Sequence, residues 1–388
     1  MAIATYSTLG GSVSVSADGF VPASQLNTAV AIVGSYDNTA SAPNVTEGQA
    51  TTVQTSTEAD NQFGPNSELA RQAALAFGNG ASEAACVPLP ETQATESFVA
   101  STSGQLTNTP ILDPRVTTAT LTVTDTTTAT DLSVRYVNTD PVSADAGVDE
   151  ALVNPVTGGW AVDSSSDYEI SYTYGDYDAA LTEAVSQSVR YVIVCAEADS
   201  VAATALTKVT EQAKNFRFLR VVMGSENGLA SENINAYTPA QEDWRLIEVA
   251  PTRGTDDQGP QRIYGAVGGL MAAQPINVNG SITYDRVNGL TSISQKYTPL
   301  QAADFTQVTA LTDEYEIAEG VTTSATARIR DIYKGEIIDL VLKRLQQRVK
   351  NYRGGSNAQT AQRRFRSRIA RSLNQLAPPV AQPPLLAT

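Results

Sequence analysis

Apolar positions along this chain change period, and the changes divide it. Ala29-Val-Ala-Ile-Val-Gly34 is a short unbroken apolar run, the pattern of a strand buried on both faces. Leu69, Ala73 and Phe77 fall at i, i+4 and i+8 on one helical face, with Asn66 or Ser67 as N-cap and Gly78-Asn-Gly80 as the stop. Ala84 to Leu89 then reads as a strand. Farther on, strand and helix patterns alternate. Tyr168 to Tyr174 is a strand candidate, and Asp178 to Val189 is a helix with Leu181, Val185 and Val189 aligned. A strand at Arg190–Cys195 follows, then a helix at Ser200–Asn215 carrying Val201, Ala205, Val209 and Ala213 on one face. Strands at Phe216–Val222 and Trp244–Val249 and a helix at Pro260–Ala273 complete the series. This βαβα rhythm predicts a three-layer α/β core with parallel strands.

Other stretches break the rhythm. Ser12-Val-Ser-Val-Ser alternates at the period of a strand between glycine turns, so the first thirty residues read as an extended arm. Val116-Thr-Thr-Ala-Thr-Leu-Thr-Val-Thr and Leu132-Ser-Val-Arg-Tyr-Val137, flanked by Pro114, Pro141 and Pro155, predict a small β insertion facing solvent. Ala327 to Tyr352 carries Ile329, Ile332, Ile337, Leu340, Val341, Leu345 and Val349 as an apolar stripe. Gly354-Gly355 breaks it, and Thr360 to Leu376 carries Phe365, Ile369, Leu373 and Leu376. The expected fold class is therefore α/β, in a mixed α+β arrangement. Its segments are an N-terminal arm (1–30), a first part of the core (31–104), an inserted β-rich domain (105–160), the α/β core (161–322), a basic helical pair (323–376) and a proline-rich tail (377–388).

Charge sharpens this division. The 388 residues carry a net charge of −15 and no histidine. Residues 1–322 hold thirty-eight acidic against thirteen basic residues, net −25, while residues 323–388 hold three against thirteen, net +10. Without histidine there is no Ser-His-Asp triad, no His-ligated zinc and no imidazole proton shuttle. Six lysines against twenty arginines, the first lysine at 208, in an acidic threonine-rich chain suggest a surface suited to concentrated salt, where self-repulsion is screened. No basic n-region and no long apolar run is visible, so neither a signal peptide nor a spanning helix is expected, and folding in a cytoplasm is.

Few residues suggest catalysis. Gly265-Ala-Val-Gly-Gly lies inside a predicted helix rather than in a strand-to-helix turn, so it reads as tight helix packing, not a dinucleotide fingerprint. Asp256-Asp257 lies in a turn, and Asp163, Asp167, Asp176 and Asp178 lack calcium-loop spacing. Asn44-Val-Thr and Asn279-Gly-Ser match the glycosylation sequon weakly, and Cys86 reads as a small buried hydrophobe. The chain is read as a non-enzyme with no cofactor and no metal. The strongest anomaly is the basic helical pair, with Lys343, Arg344, Arg348, Arg353, Arg363, Arg364, Arg366, Arg368 and Arg371 on its polar faces. A solvated face and an arginine-rich nucleic-acid motif are alternatives, but a body at net −25 repels a polyanion. Acidic protein, including further copies of this chain, is the better-matched partner.

The order of these units resembles the tail sheath proteins of contractile phage tails and related injection systems, with a haloarchaeal-virus-like composition. Ala31-Ile-Val-Gly-Ser-Tyr resembles the family's opening strand. Phe63-Gly-Pro-Asn-Ser-Glu-Leu through Phe77-Gly-Asn-Gly-Ala, with the strand at Cys86, resembles its helix, turn and strand. Arg190-Tyr-Val-Ile-Val-Cys, Gly265 to Gln274, Ile282 to Tyr284, Leu290 to Phe305 and Val321-Thr-Thr-Ser with the Ile/Arg helix follow in the family's order. The resemblance implies a virion tail subunit, assembled in the host cytoplasm, that forms six-fold rings stacked helically on a tail tube protein. Baseplate and tail-terminator proteins would be further partners, with neither direct nucleic-acid binding nor membrane insertion. It also implies strand exchange between copies, for which Val13 and Val15 are the candidates, and contraction that drives genome ejection. The four prolines after Leu376 would keep any strand there short or at an edge. Alternatives are another structural protein (capsid, tube or surface layer) or an α/β enzyme.

Overall fold

The protein is described by a computed structural model. It describes residues 5–8, 11–14, 28–37, 45–117, 119–225, 239, 241–274, 282–294, 305–311, 314–326, 329–350, 363–364 and 366–367. The elements in chain order are β1 (Thr5–Thr8), β2 (Gly11–Ser14), β3 (Val30–Gly34), β4 (Thr51–Val53), α1 (Ser56–Phe63), α2 (Glu68–Gly78), β5 (Ala84–Pro88), β6 (Glu91–Gln105), β7 (Leu121–Asp125), β8 (Thr130–Asp131), β9 (Ser133–Tyr136), β10 (Glu150–Val153) and β11 (Gly159–Gly175). They continue as α3 (Tyr177–Ala184), β12 (Tyr191–Val194), α4 (Asp199–Lys214), β13 (Arg220–Gly224), β14 (Leu246–Ala250), β15 (Arg253–Asp256), β16 (Gly259–Arg262), α5 (Tyr264–Ala273), β17 (Arg286–Val287), β18 (Ser292–Ile293), β19 (Thr306–Ala310), β20 (Tyr315–Glu319) and α6 (Ile332–Lys350).

A nine-stranded sheet in the order β17-β20-β19-β14-β13-β12-β3-β5-β4 is the backbone of the larger unit, residues 27–274 and 281–332. Its central strands are parallel, and Cys86, Ile32, Ile193, Val222 and Ile247 lie in register across five of them. Because side chains alternate along a strand, Val30 and Ile32 face one layer and Ala31 and Val33 the other. The first layer packs on α1, α2 and α5, the second on α3 and α4. These are the three layers expected from the alternation. Ser67 caps α2, its hydroxyl accepting from Ala70 N–H at 3.1 Å. The glycines of α5 let it lie directly on α2: a Cβ at Gly265 or Gly269 would sit 2.3 Å from the carbonyl oxygen of Gln72 or Ala76.

A six-stranded antiparallel-rich sheet of β6 to β11 is inserted between β5 and α3. Its core holds Trp160, Tyr168, Ile170, Tyr172, Val123 and Val153. This sheet begins at Glu91 and ends at Gly175, beyond the stretch 105–160 that the alternating residues mark. The reason is β6, a Thr/Ser-rich strand largely exposed along its length, which carries no apolar alternation. Tyr168–Tyr174 accordingly belongs to β11 in the insertion. β6 pairs only with β11 among the described residues, so its other edge is open.

Element limits differ from the expected ones by more than a residue or two in four places. Helix α3 stops at Ala184. Gly259–Arg262 is a strand rather than a helix start, because Gly259 adopts φ +116° in the β15–β16 hairpin. Phe216 closes α4, donating to Ala213 O at 2.9 Å with φ +59°, so β13 starts only at Arg220. Helix α6 begins at Ile332 rather than Ala327.

The smaller unit comprises residues 1–26, 275–280 and 333–388. Its described parts are the antiparallel hairpin of β1 and β2, helix α6 from Tyr333 onward and the helical residues Arg363, Arg364, Arg366 and Ser367.

Candidate functional site

The chemistry of the larger unit concentrates at the C-terminal ends of its parallel strands. The chain leaves β3 toward β5 on one side and later returns to β12 on the other, so the strand order reverses there. In α/β sheets that crevice is where ligands bind. Here it is filled by charges. Arg262, at the end of β16, is buried. Its Nε donates to Glu197 Oε1 at 2.6 Å, its Nη2 to Glu197 Oε2 at 2.7 Å and its Nη1 to Glu68 Oε1. Tyr264 OH donates to Glu197 Oε1 at 2.8 Å, and Ser35 N–H to Glu68 Oε2 at 3.1 Å. Glu68 is the first residue of α2, Glu197 precedes α4 and Tyr264 opens α5, so three helices converge on one guanidinium.

Two carboxylates share that cation, and they titrate as a coupled set. Burial pushes both up. For Glu197 the charge and bidentate hydrogen bonds of Arg262 outweigh burial and hold it below the ordinary carboxylate range. For Glu68 burial wins, and the Glu197 charge adds to it, so its carboxyl is raised. Arg262 gains two anionic partners that outweigh its own desolvation and is raised well above its usual value.

A second group continues the row. Asp113, in the insertion, accepts from Arg115 Nε at 2.9 Å and Nη2 at 2.8 Å and from Arg253 Nη2 on β15. Burial opposes ionisation, but the hydrogen bonds of Arg115 and the Arg253 and Arg115 charges hold Asp113 well below the ordinary range. Three arginines thus face three carboxylates, a balanced cluster. The cleft beside it, lined in part by Asp113, Tyr177, Glu197 and Arg262, has room for about one water molecule. The arrangement binds elements together, and the described residues of this cleft leave room for little more than that water. Cys86 and Cys195 are buried in the core, and burial pushes both thiols up, away from the reactive thiolate. Among the described residues no group of acids, cysteines or histidines is arranged to hold a metal, and no helix is long and apolar enough to cross a membrane.

The residues singled out from the sequence lie elsewhere. Val13 is on β2, opposite Tyr6; Val15 lies outside the described residues. Lys343 is exposed on α6, within which Arg344 and Arg348 also fall. Arg363, Arg364 and Arg366 are helical and exposed. Arg353, Arg368 and Arg371, and both sequon asparagines, lie outside the described residues. Of the stripe on α6, Ile332 is buried, Leu340, Val341 and Leu345 are half-buried and Ile337 is exposed, while Ile338 and Leu342, outside the stripe, are also more than a third exposed. The ion cluster was missed by sequence reading, since Glu68, Glu197 and Arg262 are far apart in the chain. The only local signal is a charge inside an apolar run, as in Cys195-Ala-Glu197-Ala.

Comparison with known proteins places this fold. Residues 28–312 match the family model described as DUF2586, N-terminal domain. A sheath tail protein from Desulfitobacterium hafniense is similar over 90% of this chain and 86% of its own, with a TM-score of 0.51 and 14% identity. The helical sheath of the anti-feeding prophage, in its contracted state, is similar over 90% of this chain and 76% of its own, with a TM-score of 0.50 and 11% identity. The PVC sheath complex of an extracellular contractile injection system, also contracted, has the same coverage, score and identity. No curated protein matches the chain.

Proposed function

We infer that this chain, which belongs to the DUF2586 family, is the structural subunit of a contractile tail sheath. The observation that carries the reading is the likeness of its fold to sheath proteins over 90% of its length. The ion-filled crevice agrees with it, since the place where an α/β enzyme would bind substrate is closed by Arg262 and its partners. On this reading copies form six-fold rings stacked helically around an inner tube, bounded by baseplate and terminator proteins. Contraction then drives the tube through a host envelope, with the energy held in the packing of the assembly.

The charge division supports a specific contact. The acidic body of one copy and the basic C-terminal segment of another form a heterologous pair, the kind that propagates into a helical polymer rather than closing as a dimer. Lys343, Arg344, Arg348, Arg353, Arg363, Arg364, Arg366, Arg368 and Arg371 are its basic side. The exposed Ile337, Ile338 and Leu342 of α6 supply apolar surface beside Lys343. The open edge of β6 and the uncharged, alternating segment around Val13 and Val15 suit strand addition between copies. The six segments set out from the sequence, with the insertion widened to residues 91–175, are the working division of the subunit. The acidic, lysine-poor composition supports a virus of a halophilic, haloarchaeal-type host, with genome ejection as the outcome and assembly in the host cytoplasm.

Sedimentation of purified protein across salt concentrations, followed by negative-stain microscopy of the pellet, tests this reading. Pelleting striated tubes in high salt is the expected result; monodisperse monomers at every salt and protein concentration would overturn it.

A further inference from the structure

We propose that Asp113 is a positioning residue: it latches the inserted β sheet to the α/β core, so that the two move as one body. The insertion leaves the core through β6 and β11, whose last rungs, Thr173 to Gly175 opposite Gln93 to Glu91, lie beyond the reach of β7 and form a short two-stranded ribbon. Two-stranded ribbons twist readily, so the ribbon alone would let the sheet swing. A second attachment stops this, through the loop after β6. There Ile111 and Leu112 point to different cores. Ile111 packs with Trp160 and Tyr172 in the insertion, and Leu112 packs with Tyr177 and Leu181 against the α3 layer of the core. Asp113 follows directly. Its side chain is 2% exposed and is held from both sides, by Arg115 of the insertion and by Arg253 of the core. Among the described residues this is the ion pair that joins residues 91–175 to the rest of the unit.

The grip extends in both directions. Arg115 reaches Asn138 at 3.4 Å and stacks over the Tyr136 ring at 5.3 Å, at the end of β9. The Asp113 backbone oxygen accepts from Val116 N–H at 3.1 Å and Thr117 N–H at 3.0 Å, so the loop is wound tightly around the carboxylate. On the core side Arg253 and Arg262 both act on the cluster that holds α2, α4 and α5. Rotation of the insertion therefore has to break a buried, charge-assisted contact, and leaves charges without partners when it does. This latch does not depend on assembly.

The test uses the full chain with spin labels at Thr128→Cys, on the exposed β7–β8 turn, and Glu211→Cys, on the exposed face of α4. Native Cys86 and Cys195 are buried and do not compete for label. The unmodified pair gives one narrow distance. Asp113→Asn and Arg253→Gln each broaden the distribution or add a second distance. Amide exchange in residues 111–117 then rises about tenfold or more, while β12 and β13 keep their protection. The double variant behaves like either single one, because both remove the same contact. An unchanged narrow distance in both single variants would overturn the proposal. So would a loss of protection spread evenly over the whole chain, which is the mark of a merely structural role. If Asp113→Asn does not fold, Arg253→Gln decides alone.

Discussion

Replacing Gly269 by alanine tests whether the contact between α2 and α5 is set by glycine. The new Cβ would lie 2.3 Å from the Ala76 carbonyl oxygen and 2.7 Å from the Ala76 Cα. Even a short carbon–oxygen contact runs to about 3.3 Å, so the helices must separate by roughly 1 Å in an interior packed at crystal density. Overpacking of this kind costs about 1–3 kcal/mol. The obstacle is backbone and cannot rotate aside, which places the cost near the top of that range. Alanine returns about 1 kcal/mol through helix propensity. The net expectation is a loss of about 2 kcal/mol. Gly78 is the matched control: a Cβ there meets nothing within 4 Å, so Gly78→Ala gains up to about 1 kcal/mol. Urea unfolding at fixed salt, followed by helical circular dichroism, reads both. A Gly269→Ala variant as stable as the parent, or a Gly78→Ala variant that loses as much, would refute the close-packing argument.

Arg262→Met leaves Glu68 and Glu197 buried without their cation and should cost about 3–5 kcal/mol, a deficit that grows as pH rises and both carboxylates ionise; a pH-independent cost below 1 kcal/mol would contradict the cluster. Glu91 is pushed up to about 7 by burial and by the Glu47 and Glu68 charges. Its folded pKa lies above the unfolded value of about 4.3, so its contribution is complete below that value and lost as pH rises toward 7. Thermal melts of Glu91→Gln should show a flatter profile over that window. Asp113 has the opposite sign: its contribution is present above about 3.9 and lost as pH falls below it, so Asp113→Asn should flatten the acid limb. Changing Arg363, Arg364 and Arg366 to glutamate should reduce pelleting at least about tenfold by setting like charges together; wild-type pelleting would remove that helix from the assembly contact.

The α/β core was legible because its strands and helices carry their own periods. Ile32 and Ile193 sit in unbroken apolar runs, and Ser67 announces α2 by its capping chemistry. The insertion was legible only where one face is buried, as at Leu121 and Val123. Along Thr92 to Ser103 most side chains meet water, so the residues alternate in nothing that hydropathy can register. Gly259-Pro260 looked like a helix start because proline suits that position, yet the glycine turns a hairpin there. The ion cluster is a product of topology: Glu68, Glu197 and Arg262 meet only because the starts of α2 and α4 converge on the end of β16, and no spacing in the chain foretells it. The basic C-terminal surface was the reverse case, plain from composition, with Lys343, Arg363, Arg364 and Arg366 exposed in the structure.

Cryo-electron microscopy of the polymer formed in high salt decides whether this chain is a sheath subunit. Hollow tubes of six-fold rings related by a helical rotation, with the inserted sheet held in one orientation on every core, are the expected result. A closed shell, a flat lattice or a chain that never assembles would contradict it.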